Sequence, residues 1–472
     1  MTRTATFTRR QFLGAMGVGA ASLVFPFSAV SARSGEHRFP LVATEGAARI
    51  TSDPELVTRV WQYNQQTPGP VIRVRQGMPV SIPFTNRLDQ ATTVHWHGLR
   101  IDNRMDGVPG MTQPAIEPGD SFRYRFTPQD AGTFWYHTHN RTWEQLARGL
   151  HGALIVEERE PIRVDQDLVF VIDDWLIDEE GQLDEASMGS LHDWAHAGRL
   201  GNILTVNGQY KPGFPVRSGE RIRLRCINVA NSRVMYLKIQ GVAAHAIAID
   251  GQPVSPYPLN EGEFTLAPAQ RVDLILDMMQ APGQQTEVRF FTRRNELVAA
   301  TFDYHPKAIA RERPLTASFE LPPNPLPTIE LSNAEHFTLP MEGGAMGGMR
   351  GAEYRGKWRG IRELAQQGKI WALNGIVDLP EKPWFSVKRG TVVTIDMENL
   401  SSWPHAMHTH GHHFRPMDDQ GKPEPVWRDT ILLDAREKKK IAMVADNPGK
   451  WLFHCHMVEH TAGGMITWFE VT

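Results

Sequence analysis

One sequence segment occurs three times in this chain of 472 residues, and the repeat limits the folds open to it. Each copy begins near an asparagine, continues to a glycine and ends nine residues later at a second asparagine. These positions are Asn64, Gly77 and Asn86, then Asn207, Gly219 and Asn228, then Asn374, Gly390 and Asn399. Between the glycine and the second asparagine, the residues alternate or are β-branched, which is typical of strands. Such a repeat indicates three copies of one domain.

Short strands separated by turns predict that each copy is an antiparallel β-sandwich. The 33 prolines and 40 glycines can supply the turns, and the 41% of hydrophobic residues can fill the cores. At about 150 residues per domain, the length also suggests about three domains. We predict domains at 33–160, 161–312 and 313–472, with linkers at 157–167 and 310–328.

Three segments depart from the strand pattern. Residues 336–356 are rich in glycine and predict an irregular insert in the third copy. Residues 358–368 predict a short helix, and residues 185–198 predict a loop with a helical turn.

The N-terminal segment, residues 1–32, predicts an export signal rather than part of the fold. Arg9 and Arg10 precede an apolar run and then small residues, which resembles a twin-arginine signal. The alternative is an uncleaved anchor, but the run is too short and too rich in glycine for a transmembrane helix. No later stretch is apolar enough to span a bilayer, so we expect no stable membrane insertion. We therefore expect the twin-arginine (Tat) export machinery as a partner and the periplasm as the location.

Charge and cysteine content narrow the function. The net charge of −3 gives no reason to expect a nucleic-acid partner. The chain has two cysteines, Cys226 and Cys455. Their number permits a disulfide between them. Cys455 lies between two histidines, however, so we interpret it as a metal ligand instead. We interpret Cys226 as a small buried hydrophobic residue.

Aligning the copies with one another exposes a histidine pattern. Copies one and three each carry two His-x-His pairs at matching places, whereas the middle copy has Leu237 and Ile239 where its first pair would stand. Side chains i and i+2 of a strand point the same way, so each pair presents two imidazoles to one side. The eight histidines are His95, His97, His137, His139, His408, His410, His454 and His456. Burying eight imidazoles without a use would be costly, so we predict a shared metal site between copies one and three.

A second ligand set identifies the metal. Imidazole suits copper, zinc, iron and nickel, but two histidines, a thiolate and a weak axial methionine form a blue-copper site. Zinc would instead use paired cysteines or a hydrolytic His/Glu set. The third copy offers His405, Cys455, His460 and Met465, and the first copy has Thr92, Thr138, Trp143 and Arg148 there. Cys455 points away from its flanking histidines, so we predict a separate redox copper only in the third copy.

The motifs HWHG, HTH, HxxHxH and HCHxxxHxxxxM, in that order, resemble the multicopper oxidases, which include laccases, ascorbate oxidase and bacterial copper-efflux oxidases. The resemblance implies an all-β chain of three cupredoxin-like (plastocyanin-like) Greek-key sandwiches and four coppers. It implies a type 2 copper on His95 and His408, and a type 1 copper on His405, Cys455, His460 and Met465. The implied ligands of the type 3 pair are His97, His137, His139, His410, His454 and His456.

The same resemblance implies one-electron oxidation of phenols, aromatic amines or Cu(I), coupled to four-electron reduction of dioxygen to water. It suggests Asp106 as a catalytic proton relay, with a turn-forming aspartate before glycine as the alternative. Related bacterial enzymes often carry a glutamate at the position of Thr461, whereas here Glu459 precedes the histidine. We expect a structural role for Asp429.

The reducing substrate is open between phenols and Cu(I). Met341, Met346 and Met349 could bind Cu(I) through their thioethers, but methionines in a loop are more often incidental. We expect His412 and His413 to face solvent. One rival function is a copper-binding or sequestering protein without turnover. Another is a scaffold that has lost its copper, which the intact ligand set disfavours.

Overall fold

The computed structural model describes residues 36–292 and 295–472. The predicted export signal lies outside the described residues. Within these ranges, helices are short, and none has the length and apolar character that a membrane crossing requires.

Nine strands build the first pair of sheets. They are β1 (His37–Arg38), β2 (Leu41–Ala48), β3 (Thr58–Tyr63), β4 (Gly69–Arg75), β5 (Val80–Asn86), β6 (His95–His97), β7 (Ser121–Phe126), β8 (Gly132–His137) and β9 (His151–Glu157). One sheet has the order β1-β5-β2-β3, with β7 also beside β5, and the other has the order β4-β9-β8-β6. Ile82, Phe84 and Tyr136 lie in the core of this sandwich.

Eleven strands build the second pair. They are β10 (Gln166–Trp175), β11 (Ile203–Val206), β12 (Gly213–Ser218), β13 (Glu220–Asn228), β14 (Met235–Ile239), β15 (Ala243–Ile249), β16 (Gln252–Pro258), β17 (Glu263–Leu266), β18 (Arg271–Met278), β19 (Gln285–Phe291) and β20 (Glu296–Ile309). The sheets have the orders β11-β10-β13-β18-β15-β16 and β12-β20-β19-β14-β17. Leu237 and Ile239 are buried in this core, in place of the histidines of the other copies. Cys226 lies in the same core, as predicted.

Twelve strands build the third part. They are β21 (Glu335–Gly343), β22 (Gly351–Tyr354), β23 (Lys357–Gly360), β24 (Trp371–Leu373), β25 (Ser386–Val387), β26 (Thr391–Asn399), β27 (His405–Thr409), β28 (Phe414–Pro416), β29 (Thr430–Leu433), β30 (Lys438–Ala445), β31 (Gly449–Cys455) and β32 (Ile466–Val471). The sheets are β24-β21-β26-β30-β28 and β25-β32-β31-β27-β29, and β22 and β23 form a separate hairpin.

In the described part of the chain, four α-helices interrupt the strands: α1 (Thr142–Gln145), α2 (Leu191–Ala195), α3 (Ile361–Ala365) and α4 (Val458–Ala462). Single 3-10 turns occupy Asn103–Met105, Glu185–Ser187, Asn260–Gly262 and Leu331–Asn333. Helix α3 confirms the helix predicted in 358–368, and α2 confirms the helical turn predicted in 185–198. The prediction of an irregular insert at 336–356 is wrong in part, because β21 and β22 occupy much of it.

The repeated asparagines have the same backbone conformation or the same hydrogen bonds in each copy. The three that open the repeat have positive φ angles of 52°, 54° and 53°, at Asn64, Asn207 and Asn374. Asparagine tolerates this left-handed conformation better than most residues. The three that close it, Asn86, Asn228 and Asn399, each donate two side-chain hydrogen bonds to carbonyls and accept one from the amide two residues later. The repeat is therefore a set of turn anchors.

Candidate metal centre

The histidines of the first sandwich stand on two neighbouring strands. His95 and His97 occupy both ends of β6, and β6 pairs with β8 so that His95 lies opposite His137. His139 follows two residues after the end of β8. The pairing therefore places four imidazoles at one edge of this sheet.

The third sandwich repeats this arrangement. Strand β27 pairs with β31, so that His408 lies opposite His454. His410 and His456 each follow their strand by one residue. All four of these imidazoles are buried.

The two edges face each other, and the eight histidines meet between the sandwiches. Their ring nitrogens form three groups, two of which share His97, and within each group the ligand atoms lie within 4.8 Å of one another. The groups are His97, His137 and His456; His139, His410 and His454; and His95, His97 and His408. Two of the groups correspond to the two halves of the implied type 3 set, and the third contains both implied type 2 ligands.

The chemistry of these rings fits a metal. Within this cluster of eight histidines, four buried ring nitrogens have no hydrogen-bond partner among the described residues: His95 Nε2, His97 Nδ1, His408 Nε2 and His456 Nδ1. Burial, and then the charge of a neighbouring histidine, lower the pKa of several rings well below the usual value, namely those of His97, His137, His139, His410 and His456. The rings are therefore neutral, which is the form that binds metal. Orphaned lone pairs of this kind are costly unless a metal takes them.

A second cluster lies in the third sandwich. The Sγ atom of Cys455 is 3.8 Å from Nδ1 of His405 and 3.8 Å from Nδ1 of His460. The two Nδ1 atoms are 3.1 Å apart. Met465 is fully buried, and its amide donates to the carbonyl of His460. Trp371 packs against both imidazoles of this cluster.

Neighbouring residues join the two clusters. His454, Cys455 and His456 are consecutive at the end of β31, so Cys455 projects to one face and its neighbours to the other. His454 and His456 belong to the histidine cluster, and Cys455 belongs to the second cluster. The two clusters are therefore one residue apart along the backbone.

Asp106 contacts the histidine cluster directly. Its side chain is buried, with Oδ2 2.9 Å from Nδ1 of His410 and Oδ1 3.3 Å from Nδ1 of His95. The backbone carbonyl of Asp106 also lies 2.7 Å from Nδ1 of His95. A metal-binding histidine usually donates its other N–H to such an oxygen, which fixes the ring.

Asp429 supports the other side of the cluster, and its contacts were not predicted from the sequence. Its Oδ1 atom is 3.2 Å from Nε2 of His97, and its carbonyl is 2.9 Å from Nδ1 of His408. Arg271 of the middle sandwich donates to both carboxylate oxygens, at 2.8 and 2.6 Å. Burial opposes ionisation, but Arg271 and His97 hold the pKa of Asp429 well below its usual value. The WRDT segment was the only sequence pattern that drew attention to Asp429, and no sequence pattern pointed to Arg271.

Two sequence expectations near the cluster are wrong. His412 and His413 do not face solvent, because they are 2% and 3% exposed. They follow the cluster residue His410 into the interior, and Nε2 of His413 lies 3.3 Å from Nε2 of Gln252. Burial lowers the pKa of each to about 4.

Met341, Met346 and Met349 do not share one loop, as the sequence had suggested. Met341 is on β21 and fully buried in the core of the third sandwich. Met349 is partly buried against the cluster that contains Leu364. Met346 is 75% exposed.

In the first sandwich, hydroxyls occupy the place of the second cluster. Thr92 Oγ1 lies 3.2 Å from Thr138 Oγ1, and both hydroxyls donate to Oε1 of Gln145. This place therefore offers neither thiolate nor imidazole.

Glu459 is buried and is held by Ser232 and Asn231 of the middle sandwich, at 2.5 and 2.7 Å. Thr461 donates to the carbonyl of Cys455.

Comparisons with known proteins agree with this geometry. Three multicopper oxidase family models match residues 46–161, 166–305 and 357–472. The chain is 28% identical to the multicopper oxidase MmcO of Mycobacterium tuberculosis, over 98% of this chain and 96% of that protein.

Solved structures are similar over nearly the whole chain. The multi-copper oxidase of Pseudomonas thermotolerans has a TM-score of 0.81 and 32% identity, covering 93% of this chain and 100% of that one. The multi-copper oxidase of Pseudomonas parafulva has a TM-score of 0.76 and 30% identity, covering 92% and 100%.

Fold and clusters together define a copper-dependent oxidoreductase made of cupredoxin-like sandwiches. The chain belongs to the multicopper oxidase family. It couples the oxidation of a reducing substrate to the reduction of dioxygen. The predicted fold class and activity are confirmed.

Proposed function

We propose that the chain holds four coppers, with the ligands that the family resemblance implies. The histidine cluster would take one copper on His95 and His408, and two more on His97, His137, His139, His410, His454 and His456. His405, Cys455, His460 and Met465 would take the fourth. The grouping of ring nitrogens within 4.8 Å and the orphaned lone pairs support this assignment.

Bound copper supplies the one-electron redox steps that protein side chains do not. The observation that carries the proposal is the order His454–Cys455–His456 on one strand. An electron that reaches Cys455 passes through the adjacent peptide bonds to either histidine. The hydrogen bond between His454 Nδ1 and the Cys455 carbonyl, at 2.9 Å, holds this geometry.

We assign Asp106 as the proton relay. Its carboxylate is buried, and it lies within hydrogen-bond reach of His410 and His95, on the histidine cluster where dioxygen is reduced. It can hold a proton on Oδ1 or Oδ2 and release it toward the space enclosed by the histidines. The direct contacts favour this role over a turn-forming aspartate. The buried Glu459 is committed to Ser232 and Asn231, so it is a weaker candidate for a second relay.

A copper count with an oxygen electrode tests the proposal. Protein expressed with copper should bind four ions per chain and show an intense visible charge-transfer band. It should also consume one dioxygen for every four electrons from a substituted phenol or Cu(I). Bound copper without oxygen uptake would instead support the alternative function, a copper-sequestering protein without turnover.

The preferred donor is decided by comparing Cu(I) with a substituted phenol. Deleting residues 341–349 would remove Met341 from the core and damage the fold. Met346→Leu tests the exposed thioether instead, and Met349→Leu is its matched control. A lower rate with Cu(I) for Met346→Leu alone would assign Met346 to Cu(I) binding.

We further propose that residues 1–32 direct twin-arginine export to the periplasm. The paired arginines Arg9 and Arg10 support this. Replacing both with lysine should leave the protein in the cytoplasm, as cell fractionation would show. Domain boundaries at 33–160, 161–312 and 313–472 are also proposed, supported by the repeat and by the sheet pairs.

A further inference from the structure

Helix α4 belongs to the third sandwich, but its first residues are hydrogen-bonded to the middle sandwich. The amide of Val458 donates to the carbonyl of Asn231 at 3.1 Å. The carboxylate of Glu459 accepts one hydrogen bond on each oxygen, from Asn231 Nδ2 at 2.7 Å and from Ser232 Oγ at 2.5 Å. Glu459 is 2% exposed, so water does not compete for these bonds. One short segment of the middle sandwich therefore satisfies this buried carboxylate.

The next residue of the helix is His460, and it too is bonded to the middle sandwich. Its Nε2 atom lies 2.8 Å from the carbonyl oxygen of His196 and must be protonated to donate to it. The lone pair is then on Nδ1, which is 3.8 Å from Sγ of Cys455. The other imidazole of this cluster differs, because Nε2 of His405 lies 2.9 Å from Oγ of Ser401 in its own sandwich. Of the two rings, His460 is the one oriented from another sandwich.

The two segments of the middle sandwich that reach α4 are packed against each other. Gly198 follows closely after His196 and has a positive φ angle of 81°. A Cβ atom at Gly198 would lie 2.0 Å from Oγ of Ser232, so the two chains are in direct contact there. Arg233, the residue after Ser232, donates to the carbonyl of Gly201 at 2.6 Å. We call these two joined segments, residues 196–201 and 231–233, the clamp.

The matching helix of the first sandwich, α1, carries no such carboxylate. Aligning the repeats places Thr142 where Glu459 stands and Trp143 where His460 stands. The buried glutamate of α1 is one position further, at Glu144, and it accepts hydrogen bonds from Arg141 and Arg148 of its own sandwich. Of these two helices, the one that carries an imidazole of the Cys455 cluster also carries a buried carboxylate bound to the middle sandwich.

We propose that Glu459 is a positioning residue for the Cys455 cluster. By holding the start of α4 against the clamp, it keeps Nδ1 of His460 directed at Sγ of Cys455. Burying a polar group costs free energy unless hydrogen bonds satisfy it, so the helix is fixed where both bonds are made. Glu459 transfers no proton in this role, and its hydrogen bonds matter rather than its charge. This inference rests on the proposed type 1 copper at His405, Cys455, His460 and Met465.

Two substitutions of similar size separate hydrogen bonding from charge. In Glu459→Gln, the side-chain carbonyl can accept from Asn231 while the amide donates to the hydroxyl of Ser232, which also accepts. In Glu459→Leu, neither partner has a bond to make. We therefore expect Glu459→Gln to keep the cluster in place and Glu459→Leu to loosen it.

The test is made on copper-loaded full-length protein, with the visible charge-transfer band followed while a chelator is added. Glu459→Leu should shift the band and weaken copper retention at Cys455 by about 10- to 100-fold, as for other partners of metal ligands. Ser232→Ala removes one of the two bonds and should change the band in the same direction by less. It tests the proposal even if Glu459→Leu does not fold. Glu459→Gln should retain copper within about twofold of wild type.

Glu144→Leu is the matched control, since Glu144 is a buried glutamate on the matching helix of the first sandwich. It should lower the free energy of unfolding and leave the band unchanged. An equal shift of the band in Glu144→Leu would overturn the proposal, because general loss of stability would then explain the effect.

Two further results would also overturn the positioning role. One is a wild-type band and wild-type copper retention in both Glu459→Leu and Ser232→Ala. The other is a loss in Glu459→Gln as large as in Glu459→Leu, which would assign the effect to the charge or to a transferable proton. Failure of the proposed function is distinct, because the wild-type protein itself would then show no charge-transfer band.

Discussion

The Oδ2 atom of Asp106 lies 2.9 Å from Nδ1 of His410, although the residues are 304 positions apart in the chain. The contact crosses from the first sandwich to the third. It joins a buried carboxylate to a ring that we assign to copper. Proton delivery and ring orientation therefore depend on one side chain.

Asp106→Asn should keep the hydrogen-bonding shape but lose the transferable proton. We expect oxygen reduction to fall about 100-fold, since a positioned acid contributes roughly 10²–10⁴ in rate. The oxygen electrode measures the rate, and the visible band should keep its intensity because Cys455 is untouched. A rate within a factor of two of wild type would contradict the relay assignment.

Cys455→Ser should abolish the visible charge-transfer band and oxygen uptake, because the hydroxyl is a poor substitute for a thiolate on copper. Absorption spectra and oxygen consumption check this. Cys226→Ala is the control, since Cys226 is the other free thiol and lies in the middle core. It should keep the band and the activity, with a modest loss of stability. Oxygen uptake in Cys455→Ser would refute the electron path.

Arg271→Lys should disturb the histidine cluster from the middle sandwich. Lysine cannot make the two parallel bonds that Arg271 makes to Asp429. We expect a loss of about 10- to 100-fold in turnover or copper affinity, as for other partners of metal ligands. Copper analysis with turnover measures it. Arg289→Lys, at an exposed ion pair of the same sandwich, should change neither quantity.

Asp167→Asn should lower stability in a pH-dependent way. Burial raises the pKa of Asp167, but its hydrogen bonds to Arg225 and the charges of Arg225 and Arg73 outweigh this and lower it to about 2. A carboxylate with a lowered pKa stabilises the fold fully above its unfolded pKa near 4, and this contribution disappears as pH falls toward about 2. The shift corresponds to about 2 kcal/mol.

Urea unfolding of wild type and Asp167→Asn should therefore differ by about 2 kcal/mol at pH 7. The difference should shrink between pH 4 and pH 2. A difference that stays constant across this range would show that the ion pair does not control it.

The sequence predicted the parts of the site that depend on local periodicity. His-x-His pairs on strands and the order around Cys455 follow from side-chain alternation, and the repeat aligned them between copies. His412 and His413 were wrongly expected at the surface, because HTHGHH does not reveal that the chain turns inward after His410. Arg271 could not be found, since its partner Asp429 is 158 positions away. Contacts between domains have no periodic signal.

Because successive side chains of β31 point to opposite faces, the pleat of the strand fixes the separation between the Cys455 cluster, which gives up the electron, and the histidine cluster, which receives it. Inserting one residue before Cys455 would turn the thiol toward the histidine cluster and a histidine toward the copper meant for sulfur. The length of this step is therefore not tunable by insertion or deletion. The choice of electron donor can therefore change only in the loops that surround the Cys455 end of this path.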